Sequence, residues 1–400
     1  MVHAAERTRR ITTSASSAAT QRARELTALG HDIIVLTQGQ PDFETPDYII
    51  EAATAAMRNG ETRYTPVTGT VALRDAIRFK FMRDNRIDFT DDQVMASNGG
   101  KQIIYNALMS TLEPGDEVIT SAPYWVSYID MTKFAEGVPV VIECRGDNEF
   151  KLTPTQLAQS ITPKTRWVIL NSPNNPAGGV YTDRELSALA NVISPYERIM
   201  VMSDDIYEHI IYDDQSYSTM ASAAPDLVDR ILTINGVSKA YSMTGWRIGF
   251  CGGPAPLIKT MSKLQNQSTG NPCSVSQAAA VAALTGSLDV VRERTAAFQV
   301  RRNKVIAMLN DVPGLTCQSP GGAFYAYPNC SELIGRKTPA GSIMETDRDV
   351  VLYLMECAGV AAVHGAAYGL TPHFRLSIAA STDELEEACH RIQAACQALF

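Results

Sequence analysis

The 400-residue chain predicts an α/β fold, a large unit with a mostly parallel sheet between helices followed by a smaller α+β unit. Three observations predict it. Short apolar runs rich in Val and Ile recur at residues 94–96, 117–120, 140–142, 167–170, 199–202, 231–234 and 248–250, each bounded by turn residues. Longer amphipathic stretches alternate with them, the pattern of strands covered on both faces by helices. Beyond about residue 285 the texture changes to a long charged helical stretch at 289–310, then strand-like runs at 321–327 and 373–378.

Four hundred residues exceed what one hydrophobic core usually fills, so more than one packed unit is expected. The boundaries read as 1–45 for an N-terminal arm with part of the small unit, 46–285 for the large unit and 286–400 for the small one. With no internal repeat, low-complexity tract or long linker, the units should pack closely. A composition of 45% hydrophobic and 20% charged residues with net charge -8 is that of a soluble globular chain without a basic footprint for nucleic acid or an anionic membrane. No segment reaches the roughly 18 apolar residues of a membrane span. Residues 1–20 are rich in Arg and Ser, a faint transit-peptide signature, but lack the apolar stretch of a secretory signal. The eight cysteines form no C-x2-C pair and read as reduced thiols of a cytoplasmic protein. The six histidines include no H-x3-H pair, so no metal site is expected.

In such sheets ligands bind beyond the carboxyl ends of the strands, and the candidate residues of the large unit follow predicted strands. Asn98-Gly99-Gly100-Lys101-Gln102 opens a helical stretch, where glycines let backbone N–H groups approach an anion and the helix N-terminus adds a favourable dipole. Taken alone, that turn is common. In Pro123-Tyr124-Trp125-Val126-Ser127-Tyr128, Trp125 can stack on a flat ring or fill a core. Asn171-Ser172-Pro173-Asn174-Asn175-Pro176-Ala177-Gly178 is by composition a turn. Ser203-Asp204-Asp205-Ile206-Tyr207-Glu208 offers a carboxylate that can keep a pyridine nitrogen protonated and a phenol three residues on, although paired aspartates also cap helices or face solvent. After residues 231–234, Lys239 can give an amine to a carbonyl and Arg247, eight residues on, a fixed cation to a phosphate. Pyridoxal phosphate needs both. In the small unit, Arg375 lies in an apolar run, where its planar fork is a natural partner for an α-carboxylate.

The pattern S-K-x5-G-x-R-x-G from Ser238 to Gly249 resembles the cofactor-lysine signature of class I aminotransferases, pyridoxal phosphate enzymes of fold type I. At least six motifs from Ile11 to the C-terminus share the resemblance. It implies that Lys239 carries the cofactor and moves protons in a ping-pong transamination. It also implies a phosphate cup of Gly99, Gly100, Lys101, Ser238 and Arg247, completed by Tyr64 reaching the neighbouring subunit's phosphate. Asp204 would hold the pyridine nitrogen, Tyr207 and Asn175 the 3'-oxygen, and Trp125 the ring face. Arg375, Asn175 and Gly39 would take the substrate carboxylate. The departures are Ser172 and Ala177 in the Asn-Pro loop and Gln40 where the family usually has Glu.

Within the class the chain resembles bacterial subgroup Iβ aspartate aminotransferases, including those that accept prephenate. Aspartate as donor, a 2-oxo acid such as 2-oxoglutarate as acceptor, and a cytoplasmic homodimer with composite sites are therefore expected. The subgroup's arm often reads K-P-S-A-T, but here it reads Thr12-Thr13-Ser14-Ala15-Ser16, so the lysine near the distal carboxylate is missing. Either Arg9 or Arg10 substitutes for it, or the pocket prefers prephenate, an aromatic or another neutral side chain. A pyridoxal phosphate lyase on the same scaffold is a further alternative. A nicotinamide dehydrogenase would need G-x-G-x-x-G, which Gly99-Gly100 does not satisfy. A ligand-sensing regulator would carry a basic DNA-binding module, for which no segment stands here.

Overall fold

The computed structural model describes residues 3–400. Its strands are β1 (Ile34–Val35), β2 (Val94–Ser97), β3 (Glu117–Ala122), β4 (Val138–Glu143), β5 (Thr165–Asn171), β6 (Met200–Asp204), β7 (Ile231–Gly236), β8 (Gly249–Gly252), β9 (Tyr325–Ala326), β10 (Val360–Ala361), β11 (Val363–His364) and β12 (Phe374–Ser377). Seven of them form one sheet in the order β2-β8-β7-β6-β5-β3-β4. Neighbours from β7 through β4 are parallel, and β8 runs against both β7 and β2. The expected mostly parallel sheet is present.

The two-residue period of a strand divides this sheet's side chains between two apolar layers. On β5, Trp167 and Ile169 enter one layer with the helices Gly100–Thr111, Ser127–Phe134 and Ala255–Ser268. Val168 and Leu170 enter the other with Asp47–Arg58, Val71–Lys80, Asp183–Ile193 and Ser274–Thr285. Burial on both faces is why these strands read as nearly continuous apolar runs. Helix starts are set by side-chain caps, as at Thr182 with Glu185 and Ser381 with Glu384, where each cap and its third residue satisfy one another's backbone donors.

A separate core gathers around β9, β12 and the helices Asp347–Cys357 and Thr382–Gln397. Antiparallel β11-β12-β9 and parallel β1-β10 are its sheets. The 22-residue helix Asp289–Asn310 buries Val291 in the first core and Phe298, Val305 and Leu309 in the second. Tyr207, Ile210 and Tyr212, just past β6, also pack into this second core. The loop that leaves the large sheet at Asp204 thus forms part of the seam. Among the described residues, no single helix is long and apolar enough to cross a membrane.

The expected strand at 321–327 is confined to Tyr325–Ala326. Ala323 has φ 57°, in the left-handed region that interrupts a strand. A Cβ at Gly322 would lie 2.5 Å from Pro173 and 2.6 Å from the Ile210 carbonyl, so this segment passes too close to neighbouring backbone to accept a pleated strand's side chains.

Gln265, wholly buried, ties the end of β2 to the loop before helix Val71–Lys80. Its amide donates to the Val67 carbonyl at 2.8 Å and the Ala96 carbonyl at 2.9 Å, and its oxygen accepts from Asn106 at 3.2 Å and from the Ser97 hydroxyl. Leucine there would leave several buried polar groups without partners. Gln265→Leu should lower unfolding free energy by at least about 2 kcal/mol, seen as a shifted midpoint in urea titration.

Candidate active site

The carboxyl ends of β5, β6 and β7 open on a cavity of about 560 Å³. Gly39, Gly100, Lys101, Trp125, Asn175, Asp204, Tyr207, Ser238, Lys239, Arg247 and Arg375 all line it. Gly99 is not among the lining residues; it stands at the N-cap of helix Gly100–Thr111, with φ 89°. A Cβ on Gly99 would stand 2.4 Å from the Arg247 guanidinium, so only glycine lets this turn lie against that cation. Arg247 is itself left-handed at φ 56° and donates to the Thr244 carbonyl at 2.8 Å. Tyr64 is not in the cavity. Its ring is 99% exposed, on a loop held at Thr65 by Gln277 (2.9 Å) and at Thr70 by the same amide (2.7 Å).

Lys239 donates from Nζ to the Gly39 carbonyl and lies 5.8 Å from the Tyr207 ring centre. Burial, then Arg375 and Arg247, pull its ammonium down to about 8. Asp204 accepts from the Tyr128 hydroxyl at 2.5 Å. Burial outweighs that bond and pushes the carboxyl up to about 6. Asp205 faces elsewhere, accepting from Ser203 at 2.7 Å, and does not line the cavity. Successive strand residues point to opposite sides, which separates the two aspartates.

Arg375 donates to Asn175 Oδ1 at 2.9 Å and to the Thr37 carbonyl at 2.5 Å, while its Nε is buried without a partner. Its guanidinium lies 4.5 Å from the Tyr325 ring centre and 5.2 Å from that of Tyr368. Asn175 is held in turn by its N–H to Asn171 Oδ1 at 2.9 Å. Lys101 sits 4.9 Å over the Trp125 ring, and the cavity walls, then Arg247, lower its pKa.

Five cations, Arg24, Lys101, Lys239, Arg247 and Arg375, therefore face one carboxylate, Asp204. Such a cavity fits an anionic ligand with a cationic nitrogen on the Asp204 side. A phosphorylated pyridine aldehyde acting on an amino acid carboxylate meets these demands.

Residues 31–392 match the family model for aminotransferase class I and II. The chain belongs to this family. It is 49% identical over the full length of both chains to a probable aspartate/prephenate aminotransferase of Rhizobium leguminosarum bv. phaseoli. Its structure superposes with TM-score 0.98 on the aspartate aminotransferase of Rhizobium meliloti, at 46% identity and full coverage of both. With the Thermus thermophilus aspartate aminotransferase holding maleate the TM-score is 0.91 at 36% identity, covering 99% of this chain and 100% of that one.

In this aminotransferase the expected substitutes for the arm lysine lie elsewhere. Arg9 pairs with Glu6 at 3.5 Å and Arg10 with Glu136 at 3.4 Å, and neither lines the cavity. The short helix Glu6–Arg9 turns both outward before the arm enters at Ser14. Thr12 faces Asp130 at 3.5 Å. Two further cations line the cavity, Lys101 over the Trp125 ring and Arg24 on helix Ala15–Ala28. Sequence reasoning assigned Lys101 to phosphate and passed over Arg24, Tyr128, Tyr325 and Tyr368. Tyr128 was legible as part of the aromatic run after β3.

Two outcomes test this geometry. In cofactor-free enzyme, reductive methylation of Lys239 read by peptide mass should rise with a midpoint near pH 8, not the 10.5 of an ordinary lysine. Since the folded pKa lies below the unfolded one, the unfolded chain binds more protons here between those values, and this group's contribution to stability rises across that window. Gly99→Ala, strained at φ 89° and colliding with Arg247, should weaken anion binding at least about 10-fold in an equilibrium titration with inorganic phosphate, as expected for displacing a charge-assisted contact.

Proposed function

We propose that this aminotransferase uses pyridoxal phosphate to move the amino group of aspartate to a 2-oxo acid, with Lys239 as the residue that carries the cofactor. The observation that supports this most directly is the convergence of Lys239, Asp204 and Arg375 on one cavity. When bound, the cofactor supplies an aldehyde carbon and a protonated ring that withdraws electrons from the amino acid Cα. Asp204 would keep the ring nitrogen protonated, Tyr207 and Asn175 would donate to the 3'-oxygen, and Trp125 would cover the ring. Gly99, Gly100, Ser238 and Arg247 would hold the phosphate. Arg375 would take the α-carboxylate through a fork already oriented by Asn175 and Thr37, with Gly39 beside it. Lys239, deprotonated in part at neutral pH because its ammonium is poorly solvated, would take the proton from Cα and return it to C4'.

Lys101 supports a second carboxylate on the substrate. It has no acidic partner contributing to its protonation among the described residues, and a lysine's flexible stem can meet carboxylates at different distances. Aspartate and prephenate both carry such a group, and relatives of this chain are named for both. A homodimer with Tyr64 serving the partner's phosphate belongs to the same reading, supported by a wholly exposed aromatic on a pinned loop. So does a division of the chain at 1–45, 46–285 and 286–400.

The purified protein with pyridoxal phosphate should show a visible band that bleaches on adding aspartate. Lys239→Ala should abolish turnover, and a reduced cofactor adduct found on another lysine would refute the assignment. Arg375→Ala should raise KM for every amino acid by about 10- to 100-fold, whereas Lys101→Met should do so for aspartate and leave phenylalanine unchanged. Equal losses on both substrates in Lys101→Met would remove Lys101 from side-chain recognition. Sedimentation should give a dimer at assay concentration.

A further inference from the structure

Tyr325 touches both halves of the site, although the sequence shows it only as part of a strand. Its hydroxyl is 2.7 Å from that of Tyr207, and its ring centre is 4.5 Å from the Arg375 guanidinium. It is wholly buried and lines the cavity. A Cβ on Gly39 would stand 2.5 Å from its hydroxyl oxygen, so the backbone that accepts from Lys239 is packed against it as well. Phe324, its chain neighbour, meets Tyr207 edge-on at 5.4 Å, leaving the Tyr207 ring little freedom to turn.

We propose that Tyr325 is a positioning residue with two separable actions, its hydroxyl orienting and strengthening the Tyr207 phenol and its ring holding the Arg375 fork. The inference rests on the cofactor reading above. If Tyr207 gives its only proton to the cofactor's 3'-oxygen, its own oxygen becomes an acceptor and Tyr325 must be the donor. A donor at that oxygen polarises the Tyr207 O–H and strengthens what it gives onward. The 3'-oxygen is then favoured as an anion, which lowers the pH at which the bound cofactor's visible band changes. The ring acts independently. A cation over an aromatic face is attracted by its quadrupole, and that attraction grows where both are dry.

The test is a pH titration of the visible band, together with KM and kcat, on the cofactor-loaded dimer or monomer as purified. Tyr325→Phe keeps the ring and should move the midpoint upward by roughly half a unit or less, with KM for amino acids unchanged. Tyr325→Leu should move the midpoint similarly and raise KM for all amino acids by about 2- to 30-fold. In a Tyr207→Phe background, adding Tyr325→Phe should give no further shift, because the hydroxyl it served is gone. A midpoint in Tyr325→Phe equal to wild type, an equal rise of KM in both variants, or additive shifts in the double variant would each overturn the inference while leaving the proposed function standing. Wild-type protein that shows no visible band with pyridoxal phosphate overturns both.

Discussion

Lys101, Lys239, Arg247 and Arg375 share one cavity with a single carboxylate, and their mutual repulsion is what the surrounding fold has to hold in check. The two arginines are fixed by something other than an ion pair. Arg247 is trapped by its left-handed backbone and the Thr244 carbonyl. Arg375 is clamped by Asn175, Thr37 and two aromatic faces. Lys101 stands in the first turn of helix Gly100–Thr111, a turn with no acidic residue, where the helix dipole already disfavours a cation. Cations gathered this way repel one another, and an anion among them relieves that repulsion at several points together. Charge placed in this way favours an anionic ligand without further rearrangement of the cations.

The same site needs a carboxylate and a phenol kept in register on one short loop, and the residues behind that loop show how. Glu208 is fully buried, paired with the buried Lys80, and accepts from Asn85 at 2.8 Å. His209 approaches Glu208 at 3.2 Å and Asp84 at 3.3 Å, and Asp84 also takes Arg83 at 2.6 Å. Asp84 and Asn85 come from the π-helical turn Phe81–Asn85, whose extra residue brings them to this loop. A buried pair of this kind adds little net stability, yet removing one partner costs about 3–5 kcal/mol. It therefore acts as a register pin. Glu208 is held away from the cavity, and Asp204 and Tyr207 of the same loop line it.

What could be read from the sequence followed from strand ends. The seven-stranded sheet was legible because burial on both faces makes its strands apolar throughout, and the residues just beyond β5, β6 and β7 had to meet in space. Asp204 was separated from Asp205 by the resemblance, whose spacing of acid to tyrosine it matches, and the hydrogen bonds from Tyr128 and Ser203 supply the physical difference. The contacts of the second core were not legible. Tyr325 follows a left-handed Ala323 that no propensity announces, so the alternation that would aim its side chain could not be counted. Substitution of Arg9 or Arg10 for the arm lysine was one of two alternatives, and it equated position along the arm with position in space; past the turn at Glu6–Arg9 neither residue lines the cavity.

The arm also joins the two ends of the substrate cavity mechanically. Thr20 bonds to Thr37 at 2.6 Å, and Thr37 gives its carbonyl to Arg375, so helix Ala15–Ala28 and the Arg375 fork share one partner residue. Ser16 lies 3.5 Å from the Tyr368 hydroxyl, and the Tyr368 ring is the second aromatic beside Arg375. A side chain that displaced the arm would disturb the fork through both contacts. On the proposed reading, in which Lys101 meets the substrate side chain, a longer substrate would be accommodated at Lys101, 4.9 Å over the Trp125 ring, rather than by the arm moving away. Side-chain recognition by one lysine, as proposed, would leave the Arg375 clamp undisturbed and limit discrimination by length. The arm lysine that the resemblance leads one to expect at position 12 would instead tie side-chain length to arm position; Thr12 is uncharged and faces Asp130 at 3.5 Å.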